Sequence, residues 1–150
     1  MSNPRFDHVG ITVLDLDAAV AFFAGLGLEP ESEPWIVEGE FVSTVVGIPD
    51  VRVEGVMLVA PDGGTKLELS RWLQPQEGLE PRALRPTQPG LTNVCFEVDD
   101  LHGTLARLAA DGFDTVGGVG QHEDVWLMAY VRGPEGIIVS LAQSVAEAPS

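Results

Sequence analysis

The chain has 150 residues, with 8 Lys+Arg against 23 Asp+Glu and a formal net charge of −15. Such a surface repels phosphate backbones and anionic headgroups, which argues against nucleic-acid and membrane partners. Hydrophobic residues make up 45% of the chain, enough for a folded core, and the length suggests one domain. Cys95 is the single cysteine, so no intrachain disulfide can form. No apolar leader follows Met1 and no long apolar run occurs, so a cytoplasmic protein is expected.

In chain order, the first element is a strand through His8-Val9-Gly10-Ile11-Thr12-Val13, where apolar and other residues alternate. A helix follows, with Asp15 or Asp17 as its cap, Leu16, Val20 and Phe23 as its core stripe, and Gly27 at its end. Three more strands are predicted near Glu40 to Val46, Val53 to Val59 and Thr65 to Ser70. Pro75, Pro81, Pro86 and Pro89 mark an extended linker. The pattern then repeats at an offset of 85 residues, which lays His8 on Asn93, Val13 on Val98 and Gly27 on Gly112. The second helix has Asp99 or Asp100 as its cap and Leu101, Leu105 and Leu108 as its stripe. Its strands are predicted near Thr115 to Val119, Val125 to Val131 and Ile137 to Ala142. The expected organisation is a first module over 1–74, a linker over 75–89, a second module over 90–143 and a disordered tail over 144–150, together one compact domain.

Alternation also assigns faces. Val9, Ile11, Val94, Phe96, Leu67, Leu69, Val139 and Leu141 should meet the helices. His8, Thr12, Glu68, Ser70, Asn93, Cys95, Glu97 and Ser140 should then point to the opposite face. Cys95 is expected to be a small buried side chain and His102 a surface residue. The acidic run Glu29 to Glu40 is most simply a solvated face. Trp35, Trp72 and Trp126 either wall a cavity or serve as packing.

The segments Phe6-Asp7-His8-Val9-Gly10-Ile11, Lys66-Leu67-Glu68-Leu69, Gly90-Leu91-Thr92-Asn93-Val94-Cys95-Phe96-Glu97-Val98-Asp99-Asp100 and Gly133-Pro134-Glu135-Gly136-Ile137-Ile138-Val139-Ser140-Leu141 resemble the vicinal oxygen chelate superfamily, the glyoxalase, bleomycin-resistance and ring-cleaving dioxygenase group. The resemblance covers almost the whole chain. It implies an α+β fold of two βαβββ modules, with curved mixed sheets around a shared cavity, and a homodimer. It also implies that His8, Glu68, Asn93 and Ser140 stand at the family's four metal-ligand positions. His8 and Glu68 match the family pattern of His, Gln or Glu. Asn93 stands where His is usual and Ser140 where Glu is usual, so the second half of the ligand set is depleted.

Two functions follow from these residues. In the first, a divalent ion (zinc, nickel, iron or manganese) held by His8 and Glu68, with His122 either a third ligand or a solvated loop histidine, assists lyase or isomerase chemistry through an enolate. Glu68 or Glu97 would be the catalytic base. Dioxygenase chemistry is disfavoured because it needs two histidines and a carboxylate. In the second, the protein binds a small organic drug or metabolite without a metal. Thr12, Ser70, Asn93, Cys95, Ser140 and Trp126 would line the cavity in either case.

Overall fold

The computed structural model describes residues 5–76, 80 and 85–145. The chain divides into two compact units, Met1–Pro81 and Arg82–Ser150, so the boundary falls in the Pro-rich segment. Within that segment, residues 77–79 and 81–84 lie outside the described residues. The fold is α+β, with two separate sheets of mixed strands and few helices.

The first unit holds β1 (His8–Thr12), α1 (Leu16–Ala24), β2 (Glu29–Pro30), β3 (Trp35–Glu38), α2 (Glu40–Val46), β4 (Arg52–Val59) and β5 (Lys66–Gln74). Its strand order is β1-β5-β4-β2, with β3 also paired to β4. β1 runs parallel to β5, in register from His8 opposite Lys66 to Thr12 opposite Ser70. The second unit holds β6 (Val94–Glu97), α3 (Leu101–Ala110), β7 (Gly120–His122), β8 (Trp126–Arg132) and β9 (Ile138–Ser144), in the order β6-β9-β8-β7. β6 again runs parallel to β9. The two orders are the same once β3 and α2 are set aside as additions to the first unit.

The repeat is built from the same local devices. Asp15 caps α1 by accepting from the Ala18 backbone N–H at 3.0 Å. Asp100 caps α3 by accepting from Gly103 N–H at 3.0 Å. Of the candidate pairs, these two residues are the caps. Gly27 and Gly112 follow the helices with φ of 99° and 93°, a region that side chains other than glycine's rarely adopt. Asp100→Ala should cost about 1 kcal/mol of stability, because the Gly103 amide loses its partner. Chemical denaturation of the variant measures this, and an unchanged midpoint would contradict the cap.

The core forms where the helices meet the sheets. α1 buries Leu16, Ala19, Phe22 and Phe23 against β5, whose Leu67 and Leu69 are buried. α3 buries Leu101 and Leu108 against β8 and β9, where Val131, Val139 and Leu141 are buried. Gln143 ties β9 to α3 by accepting from the Leu101 N–H at 2.7 Å.

Four sequence expectations need correction. Residues 40–46 form helix α2 and not a strand. Phe41, Val42, Val45 and Val46 suit helical spacing, and Gly47 ends the turn in the left-handed conformation with φ 73°. Val42 anchors α2 on Val51 and Val53, beside Val37 and Trp72. The acidic run is exposed as expected, but it contains the short strands β2 and β3. Around Thr115 to Val119 there is only one bridge, Thr115 to Val131, and the strand proper lies later at Gly120–His122. Finally, β9 continues through Ser144, and Val145 N–H donates to Val125 O at 2.8 Å. Residues 146–150 of the expected tail lie outside the described residues. Among the described residues, no helix is long and apolar enough to cross a membrane.

Candidate functional site

Register places the non-helical face of the first sheet residue by residue. Trp35, Gly55, Ser70 and Thr12 form one row across β3, β4, β5 and β1. Met57, Glu68 and Gly10 form the next row, and Lys66 and His8 the one after it. The opposite side holds Val56, Leu58, Leu67 and Leu69, all buried. Trp72, beyond the first row, donates its indole N–H to Thr12 Oγ1 at 3.3 Å. The expected alternation therefore holds on β1 and β5.

Three ionisable groups converge at one end of this face. His8 Nδ1 lies 2.8 Å from Asp7 Oδ2, and His8 Nε2 lies 3.8 Å from Glu68 Oε2. An ionised carboxylate only accepts, so Nδ1 carries the proton in the Asp7 bond and Nε2 is turned toward Glu68. His8 and Glu68 are partly exposed, at 36% and 29% of their side-chain surface, so a ligand can reach both. Asp7 was not singled out by sequence reasoning. It precedes the strand, where alternation assigns no face, and its position directly before His8 was the only signal.

The hydrogen bond from His8 lowers the Asp7 carboxyl pKa below its ordinary value, against the opposing effect of desolvation and with help from the charges of His8, Arg5 and Lys66. A depressed carboxylate contributes stability above its unfolded pKa and loses it as pH falls through the folded value. His8→Ala should therefore move the Asp7 titration upward toward the ordinary carboxylate range. Carboxyl-carbon NMR measures this, and an unmoved midpoint would contradict the bond.

The second unit presents a parallel arrangement with different chemistry. Cys95 is opposite Ser140 and Glu97 opposite Ala142 on β6 and β9, with Tyr130 and Met128 beside them on β8. Ser140 is 2% exposed, and its hydroxyl donates to Asn93 Oδ1 at 3.0 Å. The Ser140 hydroxyl proton is thus held by Asn93, whose amide N–H reaches Thr92 Oγ1 at 3.5 Å. Glu97 is exposed at the end of β6. Cys95 is exposed as well, which corrects the expected burial: β6 is an edge strand and its non-helical face is open at that position. His122 lies on the outermost strand β7, opposite Trp126, on the same face as Met128 and Ser140. Four residues of β9 separate Ser140 from Ser144, the residue level with Trp126, which is about 13 Å along the strand. His122 is therefore remote from the Asn93–Ser140 pair. His102 is exposed in the first turn of α3, as expected.

A divalent ion at zinc-type bond lengths of about 2.0–2.2 Å could be spanned by His8 Nε2 and Glu68 Oε2 at their separation. A catalytic ion of this kind takes three protein donors. Among the described residues no group of three His, Cys, Asp or Glu side chains stands ready to hold one. Asp7 is bonded to Nδ1, and Ser140 and Asn93 are bonded to each other. Among the described residues of the first unit, His8 and Glu68 alone do not make a complete metal site.

The family model of the glyoxalase/bleomycin resistance protein/dioxygenase superfamily matches residues 7–130. The chain belongs to that superfamily. A glyoxalase family protein from Bacillus cereus is 37% identical, covers 97% of each chain and superposes with a TM-score of 0.92. A glyoxylase/bleomycin resistance protein/dioxygenase domain from Frankia sp. EAN1pec superposes at 0.62 with 20% identity, over 95% of this chain and 99% of its own. An antibiotic-binding protein from Streptomyces sp. CB03234 superposes at 0.58 with 18% identity, over 96% and 98%. The last two show the shared fold alone. No functionally curated protein matches the chain at a significant level. Superfamily members keep the two-sheet fold, and here one sheet carries Asp7, His8 and Glu68 while the other carries the Asn93–Ser140 pair.

Proposed function

We propose that the chain binds a small organic molecule on the non-helical face of its first sheet, with His8 and Glu68 as polar anchors and no resident metal required. The hydrogen bond between Ser140 and Asn93 carries this reading. At the two positions where the resemblance places the remaining ligands, the side chains are a neutral hydroxyl and a neutral carboxamide that are bonded to each other. His8 Nε2 and Glu68 Oε2 supply a donor or acceptor and a negative charge, each partly open to solvent. The floor beside them is small: a Cβ built on Gly10 would meet nothing within 4 Å. The same fold serves an antibiotic-binding protein of Streptomyces.

One observation favours the metal-assisted lyase or isomerase expected from the sequence. Histidines that bind metals commonly donate their other ring N–H to a carboxylate, as His8 does to Asp7. That chemistry needs a third donor, for which His122 on β7 was the sequence candidate. The proposed homodimer rests on the resemblance, and light scattering tests it, a strict monomer being the contrary result.

A thermal-shift screen of metabolites and antibiotics in the presence of a chelator tests the binding function. At least one compound should stabilise the chain, and His8→Ala should abolish its shift. Stabilisation that appears only after a divalent ion is added would overturn the metal-free function.

A further inference from the structure

We propose that the ligand class of this face is a planar aromatic cation, stacked on Trp35 with its charge toward Glu68 and the Asp7–His8 pair. The inference rests on the binding function above and names its ligand.

Trp35 stands on β3 directly opposite Gly55 of β4. A Cβ built on Gly55 would collide with the outer ring of the indole, with Cζ3 at 2.7 Å and Cζ2 at 2.9 Å. Gly55 has an ordinary backbone conformation, so the missing side chain serves space and not a turn. Its absence lets the indole rest on the β4 backbone, within the face that carries Ser70 and Glu68. Trp35 is only half-buried there. The indole therefore has one side seated on the sheet and surface left for a partner ring.

The surroundings select the partner. α2 closes the far end of the face through Val42, packed with Val53, Val37 and Trp72. Beyond Trp35 the face carries the small residues Ser70, Thr12 and Gly10, with Met57 beside Glu68 and the Trp72 indole N–H on Thr12 Oγ1. Gly55 is one strand across and two residues along from Glu68, about 8 Å by strand spacing and rise, close to the length of a fused tricycle. At that distance stands the Glu68 carboxylate; Asp7 is paired with Arg5 at 3.2 Å and with His8, and Lys66 is paired with Glu31 at 2.8 Å. The net charge of −15 attracts cations and repels anions at longer range. The indole face adds cation–π attraction.

The test uses three tricyclic probes of one shape: proflavine as cation, acridone as neutral ring and acridone-4-carboxylate as anion. Each is titrated calorimetrically into the full chain, wild type and the Trp35→Leu and Gly55→Ala variants. Proflavine should bind one per chain, about tenfold or more tightly than acridone, with the carboxylate weakest. Both variants should weaken proflavine about tenfold, Trp35→Leu by removing the platform and Gly55→Ala by lifting it off the sheet. Gly55→Ala keeps the indole, so it separates stacking from any loss of folding in Trp35→Leu. Unchanged proflavine affinity in both variants overturns the inference. So does tighter binding of acridone or its carboxylate than of proflavine, which leaves the binding function standing. If none of the three probes binds, the ligand class is overturned, and the chelator screen decides the binding function separately.

Discussion

Phe23→Ala is expected to lower the unfolding free energy by about 3–5 kcal/mol. Phe23 is fully buried on α1 and packs edge-on against Phe22, with ring centroids 5.2 Å apart and planes at 83°. α1 is the helix that covers β5, and β5 carries Glu68 on its other side. Removing the ring leaves a cavity in the α1–β5 core that the surrounding side chains cannot fill without moving the helix. Urea denaturation measures the loss as a lowered midpoint. Phe6→Ala is the control: Phe6 is 70% exposed, and its removal should stay within about 0.5 kcal/mol. A Phe23 cost as small as that of Phe6 would contradict a packed helix–sheet core.

Glu68→Gln should weaken a cationic ligand by about tenfold or more, the range of a hydrogen bond to a charged group. Gln keeps the shape and one acceptor oxygen while removing the charge. The side chain is 29% exposed, so the substitution strands no deeply buried group and the fold should persist. A neutral ligand of the same shape should lose far less. Titration of both ligands into both proteins makes the comparison. Equal affinities for the cation would place the Glu68 carboxylate outside the site.

The α+β fold and its internal repeat were legible because the signals are local and occur twice. Asp15 and Asp100 cap equivalent helices, Gly27 and Gly112 end them, and alternation on β1 and β5 sorts the faces correctly. The strand expected at residues 40–46 failed because Phe41, Val42, Val45 and Val46 fit a short apolar strand as well as a helix. The glycines at 39 and 47 decide between them, since both have positive φ and bound a single short element. β2 and β3 were hidden because Glu29, Glu38 and their neighbours are exposed, and β-propensity assumes a half-buried surface. At the site, alternation brought His8 and Glu68 to one face, and the structure sets them 3.8 Å apart. It gave no hint of Asp7, which the strand pattern does not govern. Nor did it show the seat of Trp35 on Gly55, which depends on cross-strand register. The Asn93–Ser140 pair could be suspected only from the repeat, because the bond joins residues 47 positions apart.

Metal content is the most direct test of a site that works with His8 and Glu68 alone. The chain is purified without chelators and analysed for zinc, nickel, iron and manganese, alongside His8→Ala. The expected result is far less than one equivalent of any divalent ion, the same in both proteins, with ligand binding unchanged by a chelator. Close to one equivalent in the wild type, lost in His8→Ala, would contradict the metal-free site and restore the metal-assisted enzyme.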